Sequence, residues 1–239
     1  MTSVMPSAGD SAGSPAGSLA GSRAGTPAAG SAGPAAAAVP QPPARQALLR
    51  AARAALSDRP WPRVRMVEVA AAAGFSRQTL YSEFGSKEGL GTALVARELE
   101  AFLDRTARAA QRAARTAADP ADAPVAGCAA AAVSVVRTAH RDPLVRAALT
   151  GCWESRLPPP GPEPDRAGAR LRDRTAAALV SAGAAAGHGA AGPAALRHAC
   201  EVGLRLALSY VVAPCDGPPE ATEEAAGAHV TQVLRALLG

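Results

Sequence analysis

The sequence predicts an all-α protein, and three observations carry that expectation. Alanine, leucine and arginine, all strong helix formers, dominate a chain of 239 residues in which 63 are alanine. Isoleucine and asparagine are absent and aromatic residues make up 3%, so the β-branched and aromatic side chains that sheets need are scarce. From Arg45 onward, apolar residues recur at helical spacing between glycine and proline breaks. A hydrophobic content of 48% is enough to bury a core made mainly of Leu, Val and Ala, and the length allows one domain or two small ones.

Residues 1–43 predict a disordered tail: Gly, Pro, Ser and Ala fill 33 of the 43 positions, with no apolar periodicity. The formal G-x-S-x-G match Gly9-Asp10-Ser11-Ala12-Gly13 lies here, without the strand and helix that a nucleophile elbow needs. An amphipathic helix then starts near Arg45, with Leu48, Ala52, Ala55 and Leu56 on one side, and Asp58-Arg59-Pro60-Trp61-Pro62 ends it. A short helix from Met66 puts Met66, Val69, Ala70 and Ala73 on one face and stops at Gly74. Ser76 supplies the cap of a third helix, in which Leu80 and Phe84 point inward while Arg77, Gln78, Tyr81 and Ser82 point outward. After Gly85, Ser86 caps a long helix from Lys87 to about Ala117, with an apolar set of Leu90, Leu94, Leu99, Phe102 and Leu103. Helix, short helix, tight turn and short helix is the helix-turn-helix layout.

Further helices are expected over about 124–139, 142–156, 165–182, 194–212 and 219–238. A proline-rich loop lies near 157–164 and a glycine-rich break over 183–192. That break spells G-x-G-x-x-G over Gly187–Gly192, but a helix precedes it and Pro193 follows, so a helix–helix loop is the reading.

The net charge of +5 is unevenly placed. Residues 45–115 hold 13 basic and 7 acidic side chains, residues 116–239 hold 11 and 12, and the first 44 balance. A localised basic segment is the footprint of a polyanion binder, and equally that of a solvated arginine-rich helix surface. No apolar run reaches the ~20 residues of a bilayer span, and the N-terminus lacks a secretory signal pattern. Cys128, Cys152, Cys200 and Cys215, spaced by 24, 48 and 15 residues, match no zinc or C-x-x-C pattern. The expectation is a cytoplasmic protein with reduced thiols, no metal, no cofactor and no membrane partner. No cluster of His, Cys or carboxylates recurs at ligand or triad spacing, so an enzyme is not expected.

The stretch Val64–Leu90 resembles the DNA-binding domain of the tetracycline-repressor (TetR) family of transcriptional regulators. The likeness rests on Ala73-Gly74, the run Ser76-Arg77-Gln78-Thr79-Leu80-Tyr81, Phe84, and Ser86-Lys87-Glu88 ahead of Leu90. It implies a helix-turn-helix DNA-binding domain over 44–92 and a helical effector-binding and dimerisation domain over 93–239. It also implies a homodimer that reads a palindromic operator in double-stranded DNA and, as a repressor, is released by a small-molecule effector. Under it the third helix enters the major groove, where Arg suits guanine O6/N7 and Gln suits adenine N6/N7. The DNA-binding candidates are Arg65, Arg77, Gln78, Thr79, Tyr81, Ser82 and Lys87, the last being the only lysine in the chain.

Three residues depart from the family pattern. Arg65 stands where a Ser or Thr caps the second helix, so that cap is absent or differently made. Phe75 replaces a small aliphatic residue. Glu83 puts a negative charge on the third helix, where it accepts from cytosine N4, pairs with an arginine or points away.

The last two helices are the implied dimerisation pair, with Leu196, Gly203, Leu206, Tyr210, Val230, Val233 and Leu237 as a seam or a monomer core. Candidate effector-pocket residues are His140, Trp153, Arg156 and Tyr210, polar-tipped groups in an alanine-rich region. The runner-up function is a non-enzymatic all-helical protein-interaction module with a basic surface.

Overall fold

The expected succession of helices is present in the computed structural model, which describes residues 43–161, 166–186 and 192–238. The helices are α1 (Ala44–Asp58), α2 (Met66–Ala72), α3 (Arg77–Phe84), α4 (Lys87–Arg115) and α5 (Ala123–Arg141). There follow α6 (Pro143–Thr150), α7 (Ala167–Ala186), α8 (Pro193–Val212) and α9 (Pro219–Leu238). Single 3-10 turns at Trp61–Arg63 and Pro120–Asp122 precede α2 and α5, and no strand occurs among the described residues. All these helices lie in one compact unit, Gln41–Gly239. The expected tail falls, apart from Pro43, outside the described residues, as do its G-x-S-x-G match and Gly187–Ala191.

Two apolar clusters organise this unit. The first gathers Leu48 and Ala52 of α1, Trp61, Val69 and Ala70 of α2, Leu80 of α3, and Leu90, Leu94 and Val95 of α4. The second begins at Leu99 of α4 and adds Phe102 and Leu103, then α5, α7, α8 and α9 through residues such as Val135, Leu171, Leu204 and Leu234. The 29-residue α4 therefore runs through both, and the boundary expected at 92/93 falls inside it. On its outer side α4 is tied to α7 by Arg174, which reaches Glu100 at 2.8 Å and Asp104 at 2.9 Å. Arg172 bridges α7 to Glu201 of α8 at 3.1 Å. Arg205 and then Arg172 hold the Glu201 carboxyl below its ordinary range, and Arg172 with Arg197 does the same for Asp173. Each such surface pair is worth at most about 1 kcal/mol.

One expectation is corrected. The sixth helix was expected to run to about Arg156, but α6 ends at Thr150. Gly151 takes a left-handed φ of 72°, which favours glycine, and its N–H closes on the Ala147 carbonyl. The chain then runs irregularly from Gly151 to Gly161 and lies against the first cluster. There the Trp61 N–H donates to the Arg156 carbonyl at 2.7 Å, and Trp153 Nε1 donates to the Pro158 carbonyl. The residues proposed for a dimerisation seam also divide. Leu196, Gly203 and Val230 are buried inside the chain, whereas Leu206, Tyr210 and Val233 are half-buried and Leu237 is exposed. Alternating apolar positions on α8 and α9 serve two faces, which a linear pattern does not separate.

The close approach of the 151–161 segment depends on Gly91. A Cβ there would stand 3.0 Å from Trp61 Cζ2, 3.1 Å from Pro158 Cβ and 3.2 Å from Pro159 Cδ, all parts of stiff rings. Gly91→Ala gains about 1 kcal/mol of helix propensity but overpacks this contact by about 1–3 kcal/mol. The net expectation is a lower urea midpoint at unchanged slope.

Candidate nucleic-acid interface

The interface candidate is built by two short helices and the turn between them. At the end of α2, Gly74 adopts φ 75°, and the Phe75 N–H turns back to the Ala70 carbonyl at 3.0 Å. Ser76 then caps α3: its hydroxyl oxygen accepts the Thr79 N–H at 3.0 Å and lies 2.9 Å from Thr79 Oγ1. Leu80, with 0% exposure, anchors α3 on the first cluster, and Phe84 packs at its edge. Ser86 repeats the capping device for α4 by accepting the Gly89 N–H at 3.1 Å. Its hydroxyl and the Glu88 backbone N–H hold the Glu88 carboxyl below its usual range, the backbone bond being the larger cause.

With Leu80 turned inward, the opposite face of α3 is open. Arg77 and Gln78 are exposed, and Tyr81 retains 37% exposure. The Arg77 guanidinium lies 5.2 Å from the Tyr81 ring centroid, a cation–π contact that lines up two of the seven DNA-binding candidates. Ser82 is exposed and donates to the Thr79 carbonyl at 3.2 Å. The hydroxyls of Thr79 and Ser82 are thus engaged within their own helix and its cap, and Arg77, Gln78 and Tyr81 carry the free outward polar groups.

Glu83 is paired. Arg45 of α1 comes within 3.7 Å of its carboxylate, donates to its backbone carbonyl at 3.0 Å, and lies 4.6 Å from the Phe84 ring centroid. This contact, invisible to helical spacing because it spans 38 residues, satisfies the one acidic group on α3.

A second basic group flanks the helix pair. Arg65 is exposed at the N-cap position of α2, and its side chain makes no cap there. Lys87 donates to the Pro62 carbonyl at 3.0 Å and lies 5.6 Å from the Trp61 ring centroid. An ammonium has three donors, so two remain for an anion. The Pro62 contact also brings Lys87 to the turn that carries exposed Arg63, a residue the sequence pattern did not single out.

Not all of the basic excess sits here. Arg105, Arg108, Arg112 and Arg115 are exposed along the C-terminal half of α4, at roughly 27 Å or more from its first residue at 1.5 Å per residue. Of the pocket candidates, His140, Trp153 and Arg156 line one cleft, while Tyr210 lies elsewhere. Its hydroxyl is 3.1 Å from His229 Nδ1, which joins α8 to α9. No group of three or more His, Cys, Asp or Glu capable of holding a metal occurs among the described residues. Among them, too, no helix is long and apolar enough to cross a membrane.

Residues 48–94, from the first turns of α1 to the second turn of α4, match the family model of bacterial regulatory proteins, tetR family. Over that segment the chain is similar to the tetR family. A stretch of 60 residues is 42% identical to the HTH-type transcriptional regulator AlkX of Mycobacterium tuberculosis. That stretch is 25% of this chain and spans only 28% of the relative's length. Among solved structures, the TetR family repressor AlkX from Dietzia sp. strain DQ12-45-1b is similar at 26% identity and a TM-score of 0.49, over 80% of this chain and 96% of that one. The transcriptional regulator SCO7518 of Streptomyces coelicolor A3(2) is similar at 19% identity and a TM-score of 0.49, over 80% and 99%.

Within this segment, core-packed and outward side chains differ in what they contribute to stability. Leu80→Ala should lower unfolding free energy by about 2–5 kcal/mol, the range for a buried leucine, whereas Arg77→Ala should change it by at most about 1 kcal/mol. Chemical denaturation of both variants checks the contrast.

Proposed function

We propose that the protein is a homodimeric transcriptional regulator that binds a palindromic operator through α3 and acts as a repressor released by a small molecule. The observation that carries this reading is the outer face of α3, where Arg77, Gln78 and Tyr81 stand free of the core on a helix held by Leu80 and the Ser76 cap. The major groove admits one α-helix, and Arg and Gln match the acceptor and donor patterns of guanine and adenine there. Lys87 and Arg65 stand at the helix starts beside α3 and suit phosphate contact, while the α4 N-terminus itself favours an anion.

Pairing two such heads supplies the second half of the operator. The exposed residues Val212 and Leu237, with half-buried Leu206 and Val233, give α8 and α9 an apolar outer face suited to a second copy. A symmetric pair places two α3 helices on half-sites about 10 bp apart or a multiple of that. Effector release then requires a coupling between body and head of about 1–3 kcal/mol.

A fluorescence titration against the promoter DNA flanking the gene tests this. The expected result is specific binding whose affinity falls steeply with salt. Arg77→Ala should cost about 1–3 kcal/mol at one base position and relax its specificity, while Lys87→Ala should weaken all sequences alike and reduce the salt slope by about one. Absence of binding to any palindrome near the gene, even at low salt, overturns the reading in favour of a protein-interaction module.

A further inference from the structure

A cleft of about 690 Å³ opens between α1, the C-terminal end of α5, α6 and the segment that follows it. Its wall combines two chemistries. Leu56, Leu144, Trp153 and Leu157 supply an apolar surface. Five arginines (53, 59, 141, 146 and 156) face two carboxylates, Asp58 and Glu154, a net charge of +3 in the lining. Arg53 and Arg59 have acidic partners outside the cleft, Asp142 and Glu68, at 2.7 and 2.6 Å. Arg141, Arg146 and Arg156 make no ion pair among the described residues. In the same wall His140 Nδ1 is buried without a hydrogen-bond partner, and buried polar atoms rarely stay so.

The cleft adjoins the joints between the two clusters. Asp142, only 8% exposed, accepts the Leu144 N–H at 3.0 Å to start α6 and also holds Arg53 of α1. Arg53 is 3.9 Å from Glu98 of α4 as well. Trp153 packs against both clusters, and Arg156 receives the Trp61 N–H on its backbone carbonyl.

We propose that this cleft binds an organic carboxylate with an apolar body, held by Arg146 and Arg156, whose charge draws Arg53 away from Asp142. Arg53 meets Asp142 through a single Nη2 donor, whereas a guanidinium binds a carboxylate best through paired donors, so a ligand that engages Nη1 and Nη2 together competes with Asp142. Loosening that pair frees α1 from α6 and so changes how α3 is presented. The inference rests on the ligand-responsive reading above and names the ligand class and the joint through which the ligand acts.

Calorimetric titration of the full chain with 2-naphthoate, and with 2-naphthalenemethanol as its uncharged counterpart, tests the assignment. Naphthoate should bind at least tenfold tighter than the alcohol. Arg146→Ala and Arg156→Ala should each weaken it about fivefold, with melting curves by circular dichroism unchanged, since both side chains are exposed. Equal binding of acid and alcohol, no binding of either, or binding indifferent to both substitutions overturns the proposal. In a second arm, naphthoate should weaken operator binding at least fivefold, and an unchanged affinity overturns the coupling through Arg53 and Asp142. Because calorimetry needs no DNA, a chain that binds naphthoate but no operator sinks the regulator reading alone, and the converse sinks the cleft assignment alone.

Discussion

One helix serves two cores, and the rest of the arrangement follows from it. Leu90, Leu94 and Val95 of α4 close the cluster beneath α1–α3, and Leu99, Phe102 and Leu103 open the cluster of α5 and α7–α9. A continuous hydrogen-bonded helix transmits rotation and translation with little loss over its length of roughly 43 Å. The helix-turn-helix head is thus not tethered by a flexible linker. Its orientation is set by the first three turns of a helix whose far end is embedded in the body.

Around that shared helix, head and body meet through an apolar contact, Leu144 of α6 buried in the first cluster with Trp153 against both, and through a few directional or tightly fitted links. Arg53 with Asp142, the Trp61 N–H with the Arg156 carbonyl, and the stiff rings over Gly91 are the side links. Their number matters physically. A broad apolar interface would fix one geometry, whereas a handful of directional contacts can be exchanged at modest cost. Asp142 is the most constrained member, since the same carboxylate caps α6 and pairs across to α1, so the α5–α6 bend and the placement of α1 share one charge.

The head was legible because its grammar is local. Gly74, the Ser76 cap, Leu80 and Phe84 four apart, and Ser86 before Lys87 act within a turn or two of their own positions, and the helices begin and end where those residues say. Contacts that span the chain were not legible. Arg45 could be placed on an outer face of α1, but nothing in its spacing shows that Glu83 and Phe84 meet it. The end of α6 is not legible because Gly151 carries the stop signal while Cys152–Arg156 still reads as helix-compatible; a turn closed by the Leu157 N–H on the Glu154 carbonyl, with bonds from Trp61 to Arg156 and from Trp153 to Pro158, holds that stretch in an irregular path instead.

By itself, then, the order of residues determined the all-helical class, the positions of the caps and breaks in the head, and which side chains of α3 turn away from the core. These follow from periodicity and capping chemistry, which act over a few residues. Tertiary structure alone decided that Leu196 and Val230 are interior while Leu237 is not, that Tyr210 pairs with His229 away from His140, Trp153 and Arg156, and that Glu83 is neutralised by Arg45. The reason is that an amphipathic pattern records how much of a helix is buried but not against what. Partners dozens of residues away are chosen by how several helices pack at once.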